Sequence, residues 1–194
     1  MSSGISADPR PPSVVILSCS LNPTSKSHKL ALVARAFLRD RTVPVELVDL
    51  AEHDLPLCGG AGSFDHPSVQ TLAGIIDAAG AILVSSPVYN YDLNAAAKNL
   101  MELTGSSWTD KPVGFLCAAG GKASYMSPIG FANSLMFDFR CLIIPRFVYG
   151  TTDDFTEADE PGSEIRERVE QLATAAVDLA RALAWVRANG NAGH

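Results

Sequence analysis

The chain of 194 residues has few features of a protein that binds membranes or nucleic acids. It has 15 lysines and arginines against 21 aspartates and glutamates, so the net charge of −6 provides no basic surface for nucleic acid or an anionic membrane. No apolar run approaches the ~20 residues that a helix needs to cross a bilayer. We therefore expect neither kind of partner. An anionic ligand would have to be held by local hydrogen-bond donors.

Cysteine is also scarce. The four cysteines are Cys19, Cys58, Cys117 and Cys141; none forms a C-x-x-C pair, and the four histidines are scattered. This spacing argues against a zinc site, and we expect no bound metal. Cys117 lies in an apolar run typical of a buried strand, and buried free thiols fit a reducing cytosol better than a disulfide scaffold. Residues 1–12 lack the apolar stretch of a signal peptide, so a cytoplasmic location is expected.

The composition favours one globular domain. Apolar residues make up 47% of the chain and charged residues 19%, and the length allows a core that is stable alone. We find no internal repeat and no linker. The expected organisation is a loose N-terminal tail at residues 1–12, one domain at residues 13–187, and a loose C-terminal tail at residues 188–194.

Short apolar runs alternate with segments of helical period. The runs predict strands at residues 14–17, 81–84 and 112–117, a second strand within residues 43–50, and a fifth within residues 141–149 that Pro145 interrupts. Asp92 is the expected N-cap of the helix after strand three. Five successive β–α units predict a parallel sheet with helices on both faces. The expected fold is therefore a flavodoxin-like three-layer α/β sandwich with strand order 2-1-3-4-5.

Ligands of such sheets bind at the carboxyl ends of the strands, where three unusual loops are expected to meet. The first, residues 18–27, contains five hydroxyl residues and Asn22 before a helix N-terminus, which suits a phosphate. The alternative is an ordinary polar loop with Ser27 as the helix cap. The loop contains neither a G-K-[ST] nor a G-x-G-x-x-G motif.

The other two loops suit a planar ring. After strand three, Pro87 stiffens a segment in which Tyr89 and Tyr91 flank Asn90, giving flat apolar surface beside hydrogen-bonding groups. The alternative is a turn whose tyrosines pack on a neighbouring element. After strand four, small residues at 118–121 let the main chain approach a ligand, although a flexible turn would have the same composition. An acidic loop follows at residues 151–162.

Taken together, the three loops resemble the NADPH-dependent FMN reductase family. The family's G-S-x-R-x-x-S-x-N phosphate loop is matched by C-S-L-N-P-T-S-K-S from Cys19, with Asn22 in place of the arginine. Its P-E-Y-N segment is matched by P-V-Y-N from Pro87, and its L-K-N stretch by Lys98 and Asn99. The P-V-Y variant is more similar to the flavin reductases that feed two-component monooxygenases than to the quinone-reducing branch of the family. Without the arginine, FMN would be held less tightly, which would suit an enzyme that releases its reduced FMN.

The resemblance implies an enzyme that transfers hydride from NADPH or NADH to non-covalently bound FMN, with no catalytic side chain. It also implies a homodimer or homotetramer and a possible monooxygenase partner. Reduction of quinones, azo dyes or metal oxyanions by retained FMN, and a flavodoxin-type electron carrier, remain as alternatives. The cofactor-binding residues that it implies are Ser20, Asn22, Ser25 and Ser27 at the phosphate, Pro87, Val88, Tyr89 and Asn90 along the ring, and Ala119, Gly120 and Gly121 as main-chain donors to the reduced ring.

Overall fold

The structure, a computed structural model, describes residues 12–190. Seven strands are found in this part of the chain: β1 (Val14–Ser18), β2 (Val45–Asp49), β3 (Ala81–Tyr89), β4 (Asp92–Leu93), β5 (Pro112–Ala118), β6 (Leu142–Ile143) and β7 (Val148–Gly150). The α-helices are α1 (Lys26–Asp40), α2 (Pro67–Ala78), α3 (Ala95–Thr104), α4 (Pro128–Phe139) and α5 (Ser163–Gly190).

The two expected tails lie mostly outside the described residues. Residues 1–11 and 191–194 are not described, so nothing is added about them. Residues 188–190 do not form a loose tail, because they continue α5 to Gly190.

The parallel sheet has the order β2-β1-β3-β5-β6, which confirms the predicted order 2-1-3-4-5. The predicted fifth strand is two short strands, β6 and β7, and both pair with β5 in parallel. Pro145 lies between them, where it has no N–H to donate to a sheet ladder. The main-chain N–H of Arg146 donates instead to Ile144 across a tight turn, at 2.8 Å.

Side chains of the central strands alternate between two cores. Val15 and Leu17 face the core covered by α2, α3 and α4, whereas Val14 and Ile16 face the core covered by α1 and α5. This period of two follows from the pleat of the strands. Both faces of the sheet are buried, so its carboxyl edge is the place where loops from several strands can meet.

The prediction that Asp92 is the N-cap of the helix after β3 is wrong. Strand β3 continues to Tyr89 and turns back through Asn90 and Tyr91 into β4, so Asp92 pairs with Tyr89 in an antiparallel ladder. Asn90 and Tyr91 both have positive φ, 51° and 63°, as the tightest hairpin turns require. The N-cap of α3 is Asn94, whose side-chain oxygen accepts from the N–H of Ala97.

Candidate functional site

The loop after β1 ends at a helix whose N-terminus has no side-chain cap among the described residues. Helix α1 begins at Lys26, and the N-cap residue Ser25 makes no side-chain hydrogen bond to it. Instead the Ser25 hydroxyl pairs with the Ser27 hydroxyl at 2.8 Å. Ser27 lies inside the first turn, so the alternative in which it caps the helix is wrong. The first N–H groups of α1 and the positive end of its dipole are left without a capping group.

Ser20, Ser25 and Ser27 of this loop are buried, which is unusual for a polar surface turn. The Ser20 hydroxyl accepts from the N–H of Asn22 at 3.2 Å, and its own proton is left to donate. Ser25 and Ser27 share one hydrogen bond, so one of their two protons is also left. The side-chain oxygen of Asn22 accepts from the N–H and the hydroxyl of Thr24, both at 3.0 Å. The NH₂ group of Asn22 is therefore its remaining donor.

The loop after β3 is the hairpin that replaced the expected cap. It presents Tyr89 and Tyr91 to solvent, with 57% and 70% of their surface exposed. Pro87 is still within the parallel sheet, opposite Ala118 of β5, and Val88 pairs with Leu93. The hairpin therefore fixes two exposed aromatic side chains at the carboxyl edge.

The loop after β5 differs from the expectation in one respect. The N–H of Ala119 donates to the carbonyl of Gly150 at 2.8 Å and is not free for a ligand. Gly120 and Gly121 have negative or extended φ, and a Cβ on either would meet no heavy atom of the described chain within 4 Å. Neither the main-chain conformation nor packing within the chain therefore requires glycine at these positions. Tyr149 supports the loop by donating from its hydroxyl to the carbonyl of Gly121 at 2.7 Å.

Asn94 joins the first two loops, a role that the sequence reasoning missed. Its Nδ2 donates to the carbonyl of Cys19 at 2.6 Å, and its Oδ1 accepts from the Ser86 hydroxyl at 3.0 Å and from the N–H of Ala97 at 3.3 Å. The residue is buried. One amide thus links the loop after β1, the end of β3 and the start of α3. Asn and Asp are about equally favoured at the N-cap of a helix, so the sequence alone did not distinguish Asn94 from Asp92 as the N-cap of α3.

A second group was also missed, at the carboxyl ends of β1 and β2. The His28 Nδ1 atom lies 2.8 Å from the Ser18 hydroxyl and 3.4 Å from Asp49 Oδ2. Ser18 and Asp49 approach the same ring nitrogen, so they do not flank the imidazole as a Ser–His–Asp relay would. The group ties α1 to β1 and β2.

Cys19 is a buried thiol. Burial, with a smaller contribution from the Asp49 carboxylate, raises the pKa of the Cys19 thiol. A thiol of this kind is protonated and inert at neutral pH. Its place in the loop is that of a small packing residue.

A family model described as NADPH-dependent FMN reductase matches residues 12–155, about three quarters of the chain. The chain belongs to this family. The match covers β1 to β7 and all three loops. It confirms the predicted enzyme class, an NAD(P)H-dependent flavin reductase, with FMN as cofactor and NAD(P)H as co-substrate.

Curated relatives agree with the family. An NAD(P)H-dependent FAD/FMN reductase of Geobacillus thermodenitrificans is 27% identical over 140 residues, 71% of this chain and 76% of the relative. An NADPH azoreductase of a Bacillus species is 32% identical over 130 residues, 66% of this chain and 72% of the relative.

Solved structures confirm the fold. The flavoenzyme NAD(P)H:(acceptor) oxidoreductase FerB of Paracoccus denitrificans superposes with a TM-score of 0.72 at 21% identity, covering 88% of this chain and 98% of that one. An archaeal flavodoxin superposes with a TM-score of 0.64 at 12% identity, covering 87% and 99%.

The described residues contain neither a metal centre nor a membrane-spanning helix. Within residues 12–190, no group of three or more His, Cys, Asp and Glu side chains is placed to hold a metal ion. No helix in the same part of this FMN reductase family member is both long and apolar enough to span a membrane.

Proposed function

We propose that this protein binds FMN across the three loops at the carboxyl edge of its sheet and reduces it with NADPH or NADH. The observation that carries the assignment of the site is the uncapped start of α1 beside three buried serines. An uncapped helix N-terminus with free hydroxyl protons fits a phosphate group. In a chain of the FMN reductase family, the terminal phosphate of FMN is the natural occupant.

The phosphate would be held without a positively charged side chain in direct contact. Ser20 and the Ser25–Ser27 pair each have one hydroxyl proton left to donate, and Asn22 has its NH₂ group. The N–H groups at the start of α1 add further donors. These groups recognise a terminal phosphate by hydrogen bonds and not by net charge, in keeping with the acidic composition of the chain.

The ring of FMN would lie between the hairpin and the glycine turn. Pro87, Val88, Tyr89 and Asn90 border one side, and Gly120 and Gly121 leave open space on the other. Bound FMN supplies the redox chemistry. The chain orients it. Among the described residues the N–H groups of Gly120 and Gly121 donate to no main-chain acceptor, and they are the candidates to stabilise negative charge on the reduced ring, because preformed donors cost little reorganisation.

A second function uses the same three loops. FMN that stays bound would pass its electrons to an azo compound or a quinone, and the Bacillus azoreductase relative favours this alternative. The exposed side chains of Tyr89 and Tyr91 offer flat apolar surface that would suit either an aromatic acceptor or nicotinamide. NADPH consumption in the presence of free FMN, compared with a quinone and an azo dye, separates the two functions.

We also propose a cellular location, an oligomeric state and a partner for the protein. We place it in the cytoplasm, because its buried thiols fit a reducing compartment. A homodimer or homotetramer is proposed, with a monooxygenase as the consumer of reduced flavin. Gel filtration with light scattering measures the first, and co-purification with candidate monooxygenases tests the second.

The decisive experiment is thermal unfolding with flavins. A ligand at about 100 times its dissociation constant stabilises a folded protein by about 2.7 kcal/mol. At roughly 2–4 °C per kcal/mol, FMN should raise the melting temperature by ~5–11 °C. Riboflavin, without the phosphate, should raise it less. Folded protein whose melting temperature does not respond to excess FMN would overturn the proposed site, and binding of FMN without NADPH oxidation would favour an electron carrier.

A further inference from the structure

The acidic loop, residues 151–162, reaches back from β7 to the start of α1. It contains five carboxylates and no lysine or arginine. The loop is well ordered by its own hydrogen bonds. The N–H and hydroxyl of Thr151 donate to Asp154 at 2.7 and 2.9 Å, and the N–H of Gly162 donates to the Asp154 carbonyl at 2.9 Å. These bonds hold the far end of the loop, with Asp159, in a defined position.

Asp159 engages both lysines at the start of α1. It forms an ion pair with Lys26, and Lys29 Nζ lies 3.0 Å from its Oδ2 and 2.6 Å from its carbonyl oxygen. Glu160 adds a carboxylate oxygen 3.7 Å from Lys29. The Lys26 ammonium also lies 4.7 Å from the centre of the Phe155 ring. Both ammonium groups are therefore committed to the acidic loop.

These lysines are the only lysines or arginines between residues 18 and 34. Lys26 directly follows Ser25, the N-cap residue of the helix proposed to hold the phosphate. An ammonium group in this position would strengthen the binding of a phosphate dianion roughly 10- to 150-fold if it were free, because charge-assisted hydrogen bonds are stronger than neutral ones. An ammonium paired with a carboxylate has a much weaker net attraction for a second anion.

We infer that Asp159 sets the FMN affinity of this enzyme by withholding Lys26 and Lys29 from the phosphate. The inference rests on the proposed function, since it requires FMN phosphate at the start of α1. Its consequence is a flavin held by neutral donors alone, so that reduced FMN leaves the protein readily. The enzyme is thereby suited to deliver reduced flavin to a second protein and less suited to retain it for repeated turnovers.

The test is the Asp159→Asn variant, titrated with FMN and with riboflavin by flavin fluorescence. Asparagine tolerates the left-handed main-chain conformation of Asp159, whose φ is 60°, so the variant should fold. One regained charge-assisted contact should tighten FMN binding roughly 10- to 150-fold. Riboflavin binding should stay unchanged, and the gain for FMN should shrink at high salt.

A matched control lies in the same loop. The Asp153 carboxylate is 3.9 Å from Lys122, and both side chains are largely exposed. Asp153→Asn removes the same charge without freeing Lys26 or Lys29, and it should leave FMN affinity nearly unchanged. Equal tightening in both variants would overturn the inference, because it would assign the effect to the overall charge of the loop.

The single variant Lys26→Gln keeps the inference testable if Asp159→Asn is poorly folded, and the double variant extends the test if it is folded. Lys26→Gln in the otherwise unchanged chain should alter FMN affinity by less than about twofold, whereas adding it to Asp159→Asn should abolish the gain. A large loss of FMN affinity in Lys26→Gln alone would show that Lys26 already contacts the phosphate and would overturn the inference.

The two levels of proposal fail differently. Failure of the wild-type protein to bind FMN at any concentration would contradict the proposed function. Unchanged chain that binds FMN, with a folded Asp159→Asn variant of equal or weaker affinity, contradicts only the role of Asp159.

Discussion

The side-chain amide of Asn94 donates to the main-chain carbonyl of Cys19 at 2.6 Å, across 75 residues of sequence. The bond connects the loop after β1 to the start of α3. Because both partners are buried, nothing in solvent can replace the donor if it is lost. The relationship therefore links the stability of the fold to the shape of the candidate site.

Replacing Asn94 by Asp tests this link separately from helix capping. Aspartate is as good an N-cap, but its carboxylate has no N–H for the Cys19 carbonyl. An unsatisfied buried group costs about 1–3 kcal/mol. We expect the melting temperature to fall by roughly 2–12 °C and FMN affinity to fall with it. Asn133→Asp, on an exposed position of α4, is the matched control and should change neither value.

The phosphate contacts are tested by the double variant Ser20→Ala/Ser25→Ala. Each hydroxyl bonded to a charged group is worth at least about 1.5 kcal/mol, so losing both should lower FMN affinity at least ~150-fold. Riboflavin affinity should change much less, since it has no phosphate. Titrations of both flavins measure the difference, with Ser134→Ala on α4 as the control. Unchanged FMN affinity in the double variant would remove this loop from the site.

Gly121→Ala separates the needs of the chain from those of a ligand. Its φ of −167° is open to any residue, and the added Cβ meets no atom of the described chain within 4 Å. The apo protein should keep its melting temperature or gain slightly, because alanine restricts the unfolded chain. A flavin ring packed on this turn would meet the new methyl group, so FMN affinity should fall roughly 5- to 150-fold.

The control for Gly121→Ala is Gly74→Ala in helix α2, where an added Cβ also meets nothing. This variant should be more stable by about 0.5–1 kcal/mol and should bind FMN as before. Equal FMN affinities of the Gly121→Ala variant and the unchanged chain would place the ring away from the glycine turn.

The strands could be predicted because each is a short apolar run, and their order could be predicted because five successive β–α units commonly take the order 2-1-3-4-5. The details at the carboxyl edge could not, since they depend on partners far away in the chain. Nothing in the sequence around Ala119 indicates that its N–H has an acceptor. The hydrogen bond to the Gly150 carbonyl forms because β7 pairs with β5. The hairpin turn at Asn90 lacks the Asn-Gly or Asp-Gly pair that usually predicts one.

The same holds for charge. The acidic loop and the lysines of α1 were both visible as separate features, but Asp159 and Lys26 are 133 residues apart. No local pattern indicates that they pair. Asn94 and Asp92 are equally good caps by composition, and the hairpin alone decides between them.

Because burial raises the pKa of the Cys117 and Cys141 thiols, we predict that the protein loses stability at alkaline pH. Burial raises the pKa of Cys117 to about 12 and that of Cys141 to about 11, against roughly 8.5 in an unfolded chain. Below pH ~8.5 both states carry the proton and the stabilisation is complete. Above it the unfolded chain loses protons that the folded protein keeps, so the free energy of unfolding falls by about 1.4 kcal/mol per pH unit for each thiol until its folded pKa is reached. Urea unfolding of Cys117→Ala should show a slope against pH that is shallower by this amount, and equal slopes in the variant and the unchanged chain would contradict the assignment.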